Sequence, residues 1–159
     1  MGSVPRPKER GQGQVRTGAA EPRNDRGCRY VKLVAVSSIQ VADQTFIAAP
    51  PQQVAAAIAA PARWRRWWPD LTLAVREDRA EKGIRWTVAG PLTGTMEVWL
   101  EPVLDGAIVH YFLHAEPARS DAAPDLAALN RRRRVEGKVM SFEVKKELEA
   151  GRAAGEPPS

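Results

Sequence analysis

A chain of 159 residues with a formal net charge of +5 has room for one domain with a modest core. The charge is unevenly placed: residues 1–40 hold eight Lys/Arg against three acids, while residues 41–159 hold sixteen of each. A neutral body argues against a nucleic-acid-binding domain, whose footprint is a basic surface, and the single cysteine, Cys28, leaves no disulfide framework or Cys-based metal site.

No apolar run approaches the roughly 20 residues of a membrane helix, and the first 27 residues show no apolar core of a signal peptide. A cytoplasmic protein is the expectation, with no membrane insertion and no specific nucleic-acid partner. Residues 1–29 are Gly-, Pro- and Arg-rich with almost nothing to bury, which predicts disorder. YVKLVAV (30–36) is a short apolar run that reads as an extra strand or short helix. Two readings of 1–40 stay open: a basic tail, or a mis-assigned start with Val41 as the natural first residue.

Order is predicted from DQTFIAA (43–49), a strand. Pro50-Pro51 breaks it and suits a helix start. QQVAAAIAA (52–60) places Val54, Ala57 and Ile58 at helical spacing. Pro61 ends that helix and opens a second, ARWRRWW, which Pro69 closes. Within it Trp64, Trp67 and Trp68 stand at i, i+3 and i+4, hence on one face. Arg63 and Arg66 share another.

LTLAVREDR (71–79) reads as a strand, AEKG as a turn, and GIRWTVAG (83–90) as a strand with Ile84, Trp86 and Val88 on one face. Pro91 and Gly94 punctuate before TMEVWLEPV (95–103), where Met96, Val98 and Leu100 share a face. LDG (104–106) signals a hairpin turn. AIVHYFLHAEP (107–117) is a long strand, and a loop leads to a final helix that Gly151 stops. Residues 152–159 read as a frayed tail. An antiparallel sheet with one apolar face must cover that face, and the terminal helix is the only element long enough to do it.

The run FIAAPPQQVAAAIAAPARWRRWWPDL, with Ala49, Pro51, Val54 and the aromatic Arg63–Pro69 turn, resembles the entry of the START/birch-pollen-allergen-like (SRPBCC) superfamily, in its polyketide cyclase/dehydrase branch. The hairpin residues Glu101-Pro102, Asp105-Gly106, Val109 and Tyr111 are similar to that family's closing strand pair. The resemblance spans about Asp43 to Gly151. It implies an α+β helix-grip domain over residues 41–151: a curved antiparallel sheet wrapped around the long C-terminal helix, two short helices after the first strand, and a cavity between. The count of about five strands is short of the family's six or seven.

The resemblance also implies binding of a small hydrophobic, lipid- or polyketide-like ligand. Its phase turns Val109, Tyr111 and Leu113 inward and sends His110 and His114 outward. Those histidines lie about 13 Å apart along a strand, too far to share a metal. Trp86 and Tyr111 are inward groups able to offer an N–H and an O–H to a largely apolar ligand. The expected lining is Trp68, Trp86, Met96, Val98, Tyr111, Leu113, Arg133 and Met140.

Arg131–Arg134 fan around a helix at roughly 100° each and cannot face one partner together. The apolar stripe Leu126, Leu129, Met140, Val144 and Leu148 nevertheless takes in Arg133 and Gly137. An arginine there is costly unless it meets a carboxylate or an anionic ligand; a solvated helix turn is the other reading. Gly137 lets the helix approach the sheet closely, or bend. No catalytic constellation, cofactor motif or metal spacing emerges. A polyketide aromatase/cyclase-type enzyme and a pocketless interaction protein stand as alternatives to a binding module, as a monomer or weak dimer.

Overall fold

The computed structural model describes residues 36–119, 123–152 and 156. The expectations for residues 1–29, and for all but the last residue of the 30–36 run, lie outside those described. Strand β1 (Ile39–Ile47) leads into helices α1 (Pro51–Ala59) and α2 (Pro61–Trp67). Four strands follow, β2 (Thr72–Asp78), β3 (Gly83–Ala89), β4 (Leu92–Val103) and β5 (Gly106–Pro117), and helix α3 (Leu126–Glu149) ends the domain. The five strands form one antiparallel sheet in the order β1-β5-β4-β3-β2.

Alternation along the strands decides which face is buried. Ile84, Trp86 and Val88 of β3, Met96, Val98 and Leu100 of β4, and Val109, Tyr111 and Leu113 of β5 all turn into the core. From the helices, Val54, Ile58, Trp67, Trp68, Met140 and Val144 meet them. Helix α3 lies chiefly along β1, an edge strand of the sheet. Asp125 caps α3, its side chain accepting from the Ala128 N–H at 2.9 Å, and left-handed Ala150 (φ 47°) with Gly151 (φ 88°) ends it.

Three details depart from the sequence reading. Gly94 does not punctuate; it sits within β4, where a Cβ would fall 2.1 Å from the His114 carbonyl oxygen and 2.6 Å from the Ala115 Cα. Only glycine lets β5 run so close. The three tryptophans do not ride one helical face: α2 stops at Trp67, and Trp68 caps it at φ −133°, donating its backbone N–H to the Trp64 carbonyl at 2.8 Å. Pro69 forces that exit, because the residue before proline is driven out of the helical region.

The third departure is the start of β1. It begins at Ile39, ahead of both Asp43 and the Val41 boundary. Ile39 is fully buried opposite Ala115, and the Gln40 N–H donates to Asn130 of α3 at 2.9 Å. A chain beginning at Val41 should therefore be less stable than one beginning at Val36 by about 2–3 kcal/mol, the value of burying one such side chain. Thermal melts of the two would show it. Coincident melts would mean that the first strand turn contributes nothing.

Candidate ligand-binding interior

The sheet supplies Trp86 from β3, Met96 and Val98 from β4, and Tyr111 and Leu113 from β5, while Trp68 descends from the end of α2 and Met140 from α3. All eight residues predicted to line the interior, Arg133 included, are buried to 1% exposure or less. They are brought together, but as a packed cluster. The Trp68 ring stacks on Tyr111 at 6.1 Å and tilts against Trp86 at 6.1 Å, and Trp64 meets Trp86 edge-on at 5.4 Å. Gly137 brings α3 directly onto the Tyr111 ring.

The polar atoms of this cluster are poorly served. The Tyr111 hydroxyl donates to the Met96 sulfur at 3.4 Å, a weak acceptor. Burial, with Glu136 adding to it, pushes the Tyr111 phenol far above its ordinary pKa, so it stays a neutral donor. The Trp68 indole N–H is near enough to the phenol oxygen to oppose that shift, yet forms no hydrogen bond of ordinary geometry. The Trp86 indole N–H is likewise buried without a partner. Each such donor costs about 1–3 kcal/mol of desolvation.

Arg133 is not solvated. Its guanidinium holds both carboxylate oxygens of Asp70, Nη1 to Oδ1 at 2.9 Å and Nη2 to Oδ2 at 2.7 Å, and Nη1 also reaches Glu136 at 2.7 Å. The carboxylate expected on the helix stripe is therefore the protein's own. Burial opposes the charge of Arg133, and the bonds to Asp70 and Glu136 outweigh it, leaving its pKa above the ordinary value. Asp70 escaped the sequence reading, because nothing near Pro69 in sequence points to a partner 63 residues away.

The Arg133 hydrogen bond holds the Asp70 carboxyl below its ordinary pKa, with desolvation working against it. A carboxylate depressed in the folded state adds stability above its unfolded pKa of about 3.9 and loses it as pH falls through the folded value. Urea unfolding should thus show no contribution from this group to pH dependence from about pH 5 to 8, and a decline below about pH 4. Asp70→Asn should shrink that acid decline. An unchanged acid profile would remove Asp70 from the account.

The same side of α3 ties down α2. Arg63 pairs with Glu147 at 2.7 Å, Arg66 pairs with Glu143, and the Trp67 indole N–H donates to Glu143 at 3.0 Å. Beneath α2, between it and β2, opens a cleft of about 660 Å³ lined by Pro61, Ala62, Trp64, Arg65, Leu71, Thr72 and Leu73. Trp64 lines this cleft and also touches Trp86. It stands as the wall between open space and the aromatic cluster. None of the eight predicted residues lines the cleft. Its residues had no signal beyond the tryptophan itself, since the cleft arises where two elements diverge.

On the other face of the sheet, His114 is exposed, as the strand phase requires. His110 is on that face too but is covered, stacked on Trp99 at 4.5 Å and bonded to Glu101 at 2.9 Å. No group of three or more His, Cys, Asp or Glu able to hold a metal occurs among the described residues. No helix among them is long and apolar enough to cross a membrane.

No protein-family profile matches the chain, and no curated protein matches it. Solved structures do. The chain is similar to protein MLL2253 from Mesorhizobium loti, with a TM-score of 0.52 and 16% identity, over 72% of this chain and 98% of that one. It is similar also to the Aha1 dimer from Colwellia psychrerythraea, with a TM-score of 0.51 and 16% identity, over 72% of this chain and 99% of that one. DR_A0006 from Deinococcus radiodurans follows at 0.50 and 15%, over 69% and 98%. The fold, a five-stranded antiparallel sheet packed on a long C-terminal helix with two short helices after the first strand, is shared with these solved structures. At such identities the likeness is one of fold, and function rests on this chain's own side chains.

Proposed function

We propose that this domain binds a small, largely apolar ligand that carries a hydrogen-bond acceptor, taken up through the cleft under α2 and held against Trp68, Trp86 and Tyr111. The observation that carries this reading is the pair of buried indole N–H groups without a hydrogen bond of ordinary geometry, that of Trp86 with no partner and that of Trp68 beside the Tyr111 oxygen. An indole brings a core more apolar area than a phenyl ring, but it also brings a donor whose burial without an ordinary acceptor is costly. A ligand carbonyl or carboxylate would satisfy these donors. The cleft volume of about 660 Å³ falls in the range of small-molecule sites. Entry requires Trp64 to turn aside; α2 is tied to α3 by the Arg63–Glu147 and Arg66–Glu143 ion pairs, and Asp70 just beyond α2 is held by Arg133.

A second reading, a pocketless interaction protein, is favoured by the close ring-to-ring filling of the interior. Native mass spectrometry of the gently purified full chain separates the two. A reproducible adduct of one small molecule, lost from Trp86→Ala, supports the binding module. A clean apo mass that stays clean after incubation with a mixed lipid and aromatic extract favours the pocketless protein.

A further inference from the structure

The solvent face of α3 is apolar where a lone surface helix has no reason to be. Val135, Val139 and Phe142 are 56%, 49% and 55% exposed. Their i, i+4, i+7 spacing sets them in one line, the alternating four-three interval of a helix–helix seam. The same interval continues to Lys146. From Val135 to Lys146 the stripe runs about 16 Å.

The unpaired charge around the stripe has one sign. All four acids of α3 are already engaged: Glu136 by Arg132 and Arg133, Glu143 by Arg66, Glu147 by Arg63 and Glu149 by Lys145. Lys138 is drawn down onto Asp43 of β1, its Nζ lying over the Phe142 ring at 5.5 Å. Among the described residues of α3, Arg131, Arg134 and Lys146 are exposed and enter no ion pair.

We infer that this face docks an acidic amphipathic helix of another protein, its apolar side on Val135, Val139 and Phe142 and its carboxylates on Arg131 and Lys146. The charge selects the occupant. A second copy of this chain would bring the same unpaired cations against themselves, which is repulsive. A lipid surface is a poor fit, because two valines and one phenylalanine bury too little to anchor a helix in the headgroup region. A partner helix matches the seam spacing, its length and its sign.

The test uses the full chain and a synthetic helical peptide of about three heptads, with Leu at its seam positions and Glu beside them. A peptide of the same composition with the seam scrambled is the control. Expected are saturable binding of the seam peptide that weakens with salt, backbone amide shifts centred on residues 131–146, and about tenfold weaker binding by Phe142→Ser. Val75→Ser, at an equally exposed site on β2, should leave affinity unchanged. Equal binding of the scrambled peptide, or shifts elsewhere, overturns the proposal. So does stronger binding to phosphatidylglycerol vesicles than to the peptide, or self-association abolished by Phe142→Ser.

Discussion

Arg133→Ala should destabilise the domain by about 3–5 kcal/mol, the cost of breaking a buried ion pair from one side. The guanidinium is wholly buried, and removing it leaves the Asp70 and Glu136 carboxylates facing each other across the space it filled. Arg132, already 3.1 Å from Asp70 Oδ2, softens the loss on the exposed side, so the lower end of that range is expected. Replacing the pair is a different experiment from breaking it. Arg133→Met with Asp70→Asn should recover much of the stability, since a hydrophobic side chain of similar volume often substitutes for a buried pair at little cost. Urea denaturation of the two variants reads both effects. A change within about 0.5 kcal/mol for Arg133→Ala is what a solvated residue would give, and it would refute the buried clamp.

Gly137→Val carries the second large effect. A Cβ at this position would fall 2.5 Å from both Cδ1 and Cε1 of Tyr111. That ring cannot retreat, being fully buried and stacked on Trp68. The helix would have to lift from the sheet, for a loss of about 3 kcal/mol, at the upper end of the usual overpacking range. Gly137→Ala is the subtler case, because alanine gains about 1 kcal/mol of helix propensity over glycine. A net cost for alanine would show the contact outweighing propensity. Tyr111→Leu should relieve it, and the coupling in a double-mutant cycle measures the contact itself. Stabilisation by Gly137→Ala in the unaltered background would mean that α3 does not press on Tyr111.

The fold was legible because its signals are local and periodic. The alternation Ile84-Trp86-Val88 fixed a sheet face, the prolines at 50, 51, 61 and 69 bracketed two helices, and Met140 with Val144 marked the gripping face of α3. The errors came where a neighbour distant in sequence decides. Gly94 reads as a turn until β5 is laid beside it. Ile39 looks like the end of a tail until Ala115 and α3 cover it.

Which side chains turn inward was legible in the sequence, and how they pack was not. The eight interior positions follow from strand phase and the helix stripe. Their mutual contact depends on where the chain leaving α2 meets the sheet and α3, as at Asp70, which Arg133 holds. No pattern in residues 61–71 announces that Asp70 will be claimed by α3, nor that Trp64 will stand between a cleft and Trp86.

The central claim is that the indole donors of Trp68 and Trp86 are there to meet a ligand acceptor, and their own resonances report on it. The measurement is a ¹H–¹⁵N titration of the indole N–H signals with 2-acetylnaphthalene, a flat apolar molecule with one carbonyl, against 2-ethylnaphthalene, which lacks it. The account predicts saturable shifts of the Trp68 and Trp86 signals, with that of Trp99 on the opposite sheet face unmoved. It also predicts tighter binding of the carbonyl compound by up to about tenfold, the worth of one net hydrogen bond. Unmoved Trp68 and Trp86 signals at saturating probe, or equal affinity for the two compounds, would contradict it.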